Sequence, residues 1–444
     1  MSGLLKASSA TFMTTVMIMV VGFFTSVVTA RILGPEGRGL LSGALLIATL
    51  AGNAALFGLA NTFVYHKGAQ RAFNYRAFFI FSLLFIAILS AVLSYSGLQL
   101  SSEMQLHEQL SLIILMSIVS GGYGYFNALS QLNHELHFFN IMRVSLVVGN
   151  LLLLGIVLLL FKPVTFVQIL ISQVIVSAVL MLWGIVWAHK NNIWNKEAVP
   201  LSSSATASSH QPSSKPSKAT LSWSNMLGYG VKHHGTVLLG ILLVNFDKLV
   251  LLKMGTIVEY GFYALAFTTS RLIGAVQEAT STALYARHAG KDVQQLSQNV
   301  NHAFRITFFP MLALAGIGAL ISPWLIPLVY GKAFASMTIP FAILLFECVI
   351  AGASWTLAQR FNAGGRPGLV FFRQFISVIP VFAALPFLPH ENIHIYLSCL
   401  MLIGAILRLV VTLGIYPFVL EEPMPRMLPY RADVVSALKL LGRK

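Results

Sequence analysis

Apolar runs recur along the whole chain, and each is about 20 residues long, enough to cross a hydrocarbon core about 30 Å thick. Backbone N–H and C=O groups in lipid must be satisfied within the segment or by closure into a barrel. The period-two alternation of a barrel strand is absent, so the runs predict helices. Composition agrees: of 444 residues, 57% are apolar and 10% charged, with a mean hydropathy of +0.78, against about 25% charged in a soluble chain. The predicted fold class is an all-α polytopic membrane protein of about twelve transmembrane helices. The spans fall at 10–32, 39–63, 77–97, 109–133, 143–161, 164–188, 226–252, 261–286, 305–329, 336–359, 369–388 and 394–419. The first is preceded by Lys6 alone and followed by further spans, which predicts an uncleaved helix and not a secretory signal. Cys348 and Cys399 both lie in predicted spans. They are too few for a disulfide framework or a zinc site, so no metal and no cofactor is expected.

Twelve spans put both ends of the chain on one side. If that side is cytoplasmic, nineteen Lys and Arg fall in cytoplasmic segments, among them Lys67, Arg76, Arg143, Arg305, Arg366 and Arg373. Five, namely Arg31, Arg38, Lys162, Lys253 and Lys332, fall in the opposite loops. The excess of cations on cytoplasmic loops orients membrane proteins, so both termini are expected inside. The net charge of +15 is then mostly topology. No nucleic-acid-binding module is present, and no nucleic-acid partner is expected.

Residues 189–222, rich in Ser, Pro and Ala, read as a flexible cytoplasmic linker. It separates an N-terminal six-helix half, 1–188, from a C-terminal one, 223–420, which is followed by a cytoplasmic tail, 421–444. In the tail, Val434, Val435, Leu438 and Leu441 with Lys439 suit a short amphipathic helix on an anionic leaflet. The halves repeat. At an offset of 222, Gly39 matches Gly261, Ala44 matches Ala266, Gly52 matches Gly274, His66 matches His288 and Gly68 matches Gly290. The run Ala128–Asn133 echoes Thr356–Asn362 more weakly. Six spans separate equivalent points, so the repeats are parallel. Repeated halves with a site at their interface are an architecture of secondary transporters.

Ionisable residues at membrane depth are costly and default to functional roles. The loops account for all cations except Lys232, Lys248, Arg271, Arg360 and Arg408, and the acids there are Asp247, Glu278 and Glu347. Advancing 100° per residue places His234, Leu238, Ile241, Asn245 and Lys248 on one stripe of span seven. Arg271, Glu278, Thr282 and Tyr285 form another on span eight. Arg271 and Glu278 are about 10 Å apart along the axis, so they line one surface without pairing. On span four, Ser120, Tyr123, Asn127, Gln131 and His134 share a face. Such faces line a helix seam or a water-filled cavity. Small and hydroxyl residues on spans one and two suit a seam, and the long charged residues of spans seven and eight suit a cavity. Asp247 and Lys248 point about 100° apart and need not pair with each other. Arg360, near a helix end, is expected to snorkel, and the same competes with cavity lining at Lys232.

Arg31-Ile-Leu-Gly-Pro-Glu-Gly-Arg-Gly39 resembles the R-x-L-G-x-x-x-x-G signature of polysaccharide-exporting flippases, including O-antigen flippases of the Wzx type. These belong to the multidrug/oligosaccharidyl-lipid/polysaccharide (MOP) superfamily. Asp247-Lys248, Met254-Gly255 and Gly261-Phe262-Tyr263-Ala264 resemble that family's D-K…L-G…G-x-Y-x-x-A pattern, and Pro327–Phe334 its L-x-Y-G-x-x-F. The resemblance covers about residues 10–420. It implies a bacterial cytoplasmic (inner) membrane protein that is not an enzyme. Such a protein flips a polyprenyl-diphosphate-linked oligosaccharide by alternating access, among membrane lipids and beside polymerase or glycosyltransferase machinery. A diphosphate calls for buried cations: Lys248, Arg271, His234, Arg408 and Lys232 are the substrate-binding candidates. A carboxylate at membrane depth can take a proton, which makes Asp247, Glu278 and Glu347 the ion-coupling candidates. Asn127, Gln131, Asn245, Thr282 and Tyr285 would line the cavity for sugar hydroxyls. A multidrug antiporter of the same superfamily is the alternative, although that branch favours acid-lined sites. A membrane polymerase or ligase would need a larger outward loop than Gly97–Glu108, and no nucleotide-binding G-x-x-x-x-G-K-[ST] motif occurs.

Overall fold

A computed structural model describes residues 2–68, 73–132, 136–194, 222–288 and 293–428. Among them, helices α1 (Ser2–Ala55), α2 (Leu59–Gly68), α3 (Tyr75–Leu98), α4 (Met104–Glu108), α5 (Leu110–Leu129), α6 (His137–Leu160) and α7 (Phe166–Lys190) precede the linker. Helices α8 (Trp223–Met254), α9 (Ile257–His288), α10 (Val293–Tyr330), α11 (Thr338–Asn362), α12 (Pro367–Ala384) and α13 (Ile393–Val419) follow it. No strand occurs among the described residues. The chain is a multi-pass, all-helical membrane protein. Nine stretches of the described residues are long and apolar enough to cross a bilayer. The first, Met13–Lys67, holds two predicted spans. Helices α8 and α9, 32 residues each, match the others in length but carry the polar stripes. Most of the linker, the amphipathic stretch of the tail, His134 and Gly290 lie outside the described residues.

Local chemistry sets the element ends. Gly34 adopts φ 67° and breaks α1, and Pro35 opens the segment beyond it, where a missing N–H costs nothing. Asn74 caps α3 by accepting the Ala77 N–H at 3.1 Å. Thr256 and Glu259 form a reciprocal box at the start of α9, with bonds of 3.0 and 3.2 Å. Helix α10 starts at Val293, well before the predicted 305, because the polar run ahead of Arg305 continues the helix beyond the apolar span.

By contacts the chain divides into two compact units, Met1–Thr25 with Leu40–Phe246, and Ser26–Gly39 with Asp247–Lys444. The division falls inside α8 at Phe246/Asp247, and the short segment 26–39 groups with the second unit. In unit 1, α5 is central and packs on α2, α3, α6 and α7. A Cβ on Gly52 would lie 2.7 Å from the Ser117 carbonyl and 2.7 Å from Ser120 Oγ, so only glycine lets that helix approach α5. An aromatic cluster including Phe63, Tyr75, Phe78, Tyr125 and Phe126 fills the core, and Trp223 at the start of α8 packs on Phe73, Phe78 and Phe81.

In unit 2, α11 is central and packs on α9, α10, α12 and α13. A Cβ on Gly274 would lie 2.7 Å from Cys348 Sγ. Ser120 and Cys348 differ by 228 in number, as do Gln131 and Gln359. Each half therefore builds the same close helix contact from the same repeat positions. Gly39 and Gly261, matched in sequence, touch each other: a Cβ on Gly261 would sit 3.0 Å from Gly39 N, and one on Gly39 would sit 2.0 Å from the Ile257 carbonyl oxygen.

Candidate functional site

Unit 2 concentrates the charge at membrane depth. Asp247 and Lys248 lie on α8, and Tyr263, Phe267 and Arg271 share one face of α9 at four-residue spacing. Asp247 is 0% exposed. Its Oδ2 accepts the Tyr263 hydroxyl at 2.6 Å, and its Oδ1 lies 3.5 Å from Lys248 Nζ. The neighbours thus do pair, which their angular spacing had left open, because the flexible lysine stem can curl back toward Asp247 while its ammonium rests on Phe267. Lys248 Nζ is 3.7 Å and Arg271 Cζ 4.1 Å from the Phe267 ring centre. Arg271 Nη2 donates to Glu347 Oε2 on α11 at 2.5 Å, and Glu347 is 2% exposed. Two acids and two cations are therefore joined through one aromatic ring.

Two more cations adjoin. Arg408 on α13 donates to Gln374 Oε1 at 3.2 Å and lies within Coulombic range of Glu347 and Arg271. Arg373 on α12 is 2% exposed. Its Nη1 donates to Ser354 Oγ at 2.7 Å, to the Ser354 carbonyl at 3.3 Å and to Thr412 Oγ1 at 3.2 Å. Arg373 and Arg408 are electrostatic neighbours, and the Nε atoms of both are buried without a hydrogen-bond partner. Among the described residues, neither arginine is paired with a carboxylate. A buried cation without an ion-pair partner is costly, and this corner of unit 2 gathers two of them. Sequence reasoning missed Arg373 by counting it as a loop cation. The signal was already present, since Arg373 lies inside the predicted span 369–388 and α12 begins at Pro367.

The remaining candidates are dispersed. On α9, Glu278, Thr282 and Tyr285 are exposed, and Thr282 Oγ1 bonds the Glu278 carbonyl of its own helix at 2.9 Å. Arg271 and Glu278 do not pair, as their spacing predicts. Arg360 does not snorkel: its guanidinium is ion-paired with Glu422 beyond α13, whose other oxygen accepts Ser297 Oγ at 2.6 Å. An acid downstream of the last span is near enough to replace solvent.

In unit 1, His234 is buried and its ring lies 4.8 Å from that of Phe57. It lines a cavity of about 120 Å³ with Asn53, Asn61, Ala128 and Ile241, room for a few waters only. Asn245 donates to the Ile241 carbonyl at 2.9 Å. Asn127 Nδ2 is buried with no hydrogen-bond partner, and Gln131 is exposed. Lys232 lies on α8, with its side chain outside the described set. His234 and Lys248, one stripe by sequence, belong to different units.

No protein-family model and no curated protein matches this sequence. Solved structures do. "Lipid II flippase MurJ, inward closed conformation" aligns at TM-score 0.63 and 13% identity over 98% of this chain and 91% of that one. An inward-facing multidrug resistance MATE family transporter of the MOP superfamily aligns at TM-score 0.59 and 13% identity over 89% and 92%. A mutant of the Vibrio cholerae MATE transporter VcmN aligns at TM-score 0.51 and 13% identity over 93% and 95%. The chain has the MOP transporter fold. At these identities the likeness extends to the fold alone. Within the MOP fold, the charged cluster spans α8, α9, α11, α12 and α13 of unit 2.

Proposed function

We propose that this protein is a MOP-fold flippase that moves a polyprenyl-diphosphate-linked oligosaccharide across the bacterial cytoplasmic membrane by alternating access, with both termini cytoplasmic. One observation carries the reading. Among the described residues, Lys248 and Arg271 are ion-paired with Asp247 and Glu347, and Arg373 and Arg408 beside them form no ion pair with a carboxylate, so four cations gather at membrane depth around two acids. A diphosphate supplies negative charge to such a cluster, and arginine offers it bidentate hydrogen bonds. The likeness to a protein described as a lipid II flippase supports a lipid-linked substrate. The likeness to multidrug transporters supports the second reading, a drug antiporter, but a cationic drug gains nothing from surplus cations. Asp247 and Glu347 already hold cations, which leaves the exposed Glu278 as the carboxylate available for ion coupling.

The test is reconstitution. In vesicles loaded with a polyprenyl-diphosphate oligosaccharide, the wild type should translocate the lipid-linked sugar, and Arg408→Gln should slow it at least tenfold, the loss of one charged hydrogen bond of about 1.5–3 kcal/mol. Translocation unchanged in Arg408→Gln would overturn the role of the cluster. Export of cationic dyes without lipid-linked sugar would establish the antiporter instead.

A further inference from the structure

A groove in unit 2, formed where the α1 kink meets the end of α10, gathers positive charge apart from the buried cluster. Two motifs set apart by the sequence, Arg31–Gly39 and Pro327–Phe334, converge there. Arg31, Gly34, Tyr330, Gly331, Lys332 and Phe334 line a space of about 460 Å³, within the range of small-ligand sites. Arg31 Nε donates to the Val329 carbonyl at 2.7 Å and its Nη2 to the Leu328 carbonyl. These bonds fix the guanidinium on the α10 C-terminus, which favours a cation. Lys332, just beyond that end, is exposed. Arg38 is held by Thr29 Oγ1 at 3.0 Å and Ser26 Oγ at 3.2 Å and adds positive potential nearby. No carboxylate lines the groove, and Glu36, on the same segment, is not among its lining residues. Gly34 and Gly331 have φ 67° and 101°, and a Cβ on either would meet open space, so the backbone there is uncovered.

The surface beside the groove selects the ligand. Trp324 and Leu328 on α10 are each 73% exposed, an apolar surface of the kind that lipid tails cover. Trp324 precedes Tyr330 by about 9 Å along the helix, the setting in which tryptophan marks the membrane interface. A ligand that uses both surfaces has a phosphate and an apolar chain. We propose that this groove binds the phosphate headgroup of an anionic phospholipid, in the outer leaflet for the orientation that the Lys and Arg distribution favours. The site is independent of the charged cluster and of the flippase reading.

Native mass spectrometry of the full chain in neutral detergent tests it, with phosphatidylglycerol, phosphatidylcholine and inorganic phosphate as probes. The wild type should retain phosphatidylglycerol in preference to phosphatidylcholine. Lys332→Gln should weaken retention about fivefold, the effect of one basic residue at an anionic surface, and Lys332→Arg should restore it. Lys332 is exposed, so these variants should keep the wild-type melting temperature. Equal retention of both lipids, or unchanged retention in Lys332→Gln, would overturn the site. Displacement of the lipid by millimolar inorganic phosphate would overturn the lipid assignment in favour of a free-anion site.

Discussion

At the scale of single residues, the chemistry depends on side chains that balance one another in a dry environment. Glu347 is 2% exposed and Arg271 is the cation bonded to it. Removing one partner of a buried pair strands the other, at about 3–5 kcal/mol, whereas removing both is far milder. Arg271→Ala should therefore lower the melting temperature in detergent by several degrees. The double change Arg271→Ala with Glu347→Gln should recover most of that loss while transport stays low. A double variant as unstable as the single one would show that Arg271 stabilises by packing on Phe267 and not by its charge.

At the scale of elements, α8 is the informative helix. It is one continuous helix of 32 residues, yet its first part packs with unit 1 and its last part with unit 2. The first part is seated by close backbone approach. A Cβ on Gly58, which has φ 68°, would lie 2.5 Å from the Gly230 carbonyl oxygen. Gly58→Ala should cost about 1–3 kcal/mol from the backbone strain alone and more from displacing α8. Gly22→Ala, where a Cβ meets nothing within 4 Å, is the control and should leave the melting temperature unchanged. If Gly58→Ala melts like the control, the seat of α8 on unit 1 is not tight. The same reasoning explains the matched glycines. Gly52 and Gly274 recur because each unit needs a Cβ-free approach to its central helix, α5 or α11.

At the scale of the whole molecule, the asymmetry of Lys and Arg predicts an orientation that labelling can check. In a cysteine-free background, an impermeant thiol reagent added to intact cells should modify Lys162→Cys and Lys332→Cys. It should leave Arg76→Cys and Arg143→Cys unmodified until the membrane is opened. The reverse pattern would invert the topology and move the proposed lipid groove to the inner leaflet.

The architecture was legible early because it rests on one-dimensional quantities. Span length, apolar content and the demand that lipid places on the backbone can all be counted along the chain, and so can the repeat at Gly39/Gly261 and Gly52/Gly274. The candidate site was legible only in part. Sequence spacing marked Asp247, Lys248, Arg271, Glu347 and Arg408 because charge in an apolar run is conspicuous. It did not reveal that Lys248 curls over Phe267, that Arg360 meets Glu422, or that Arg373 is buried beside Arg408. Which charges neutralise one another depends on side chains brought together from distant helices, such as Arg271 and Glu347, 76 residues apart. Residues that distant along the chain meet only through packing. The sequence by itself determined a helical, multi-pass, repeated membrane protein with buried charge. Only the tertiary structure decided which of those charges are ion-paired and which are not.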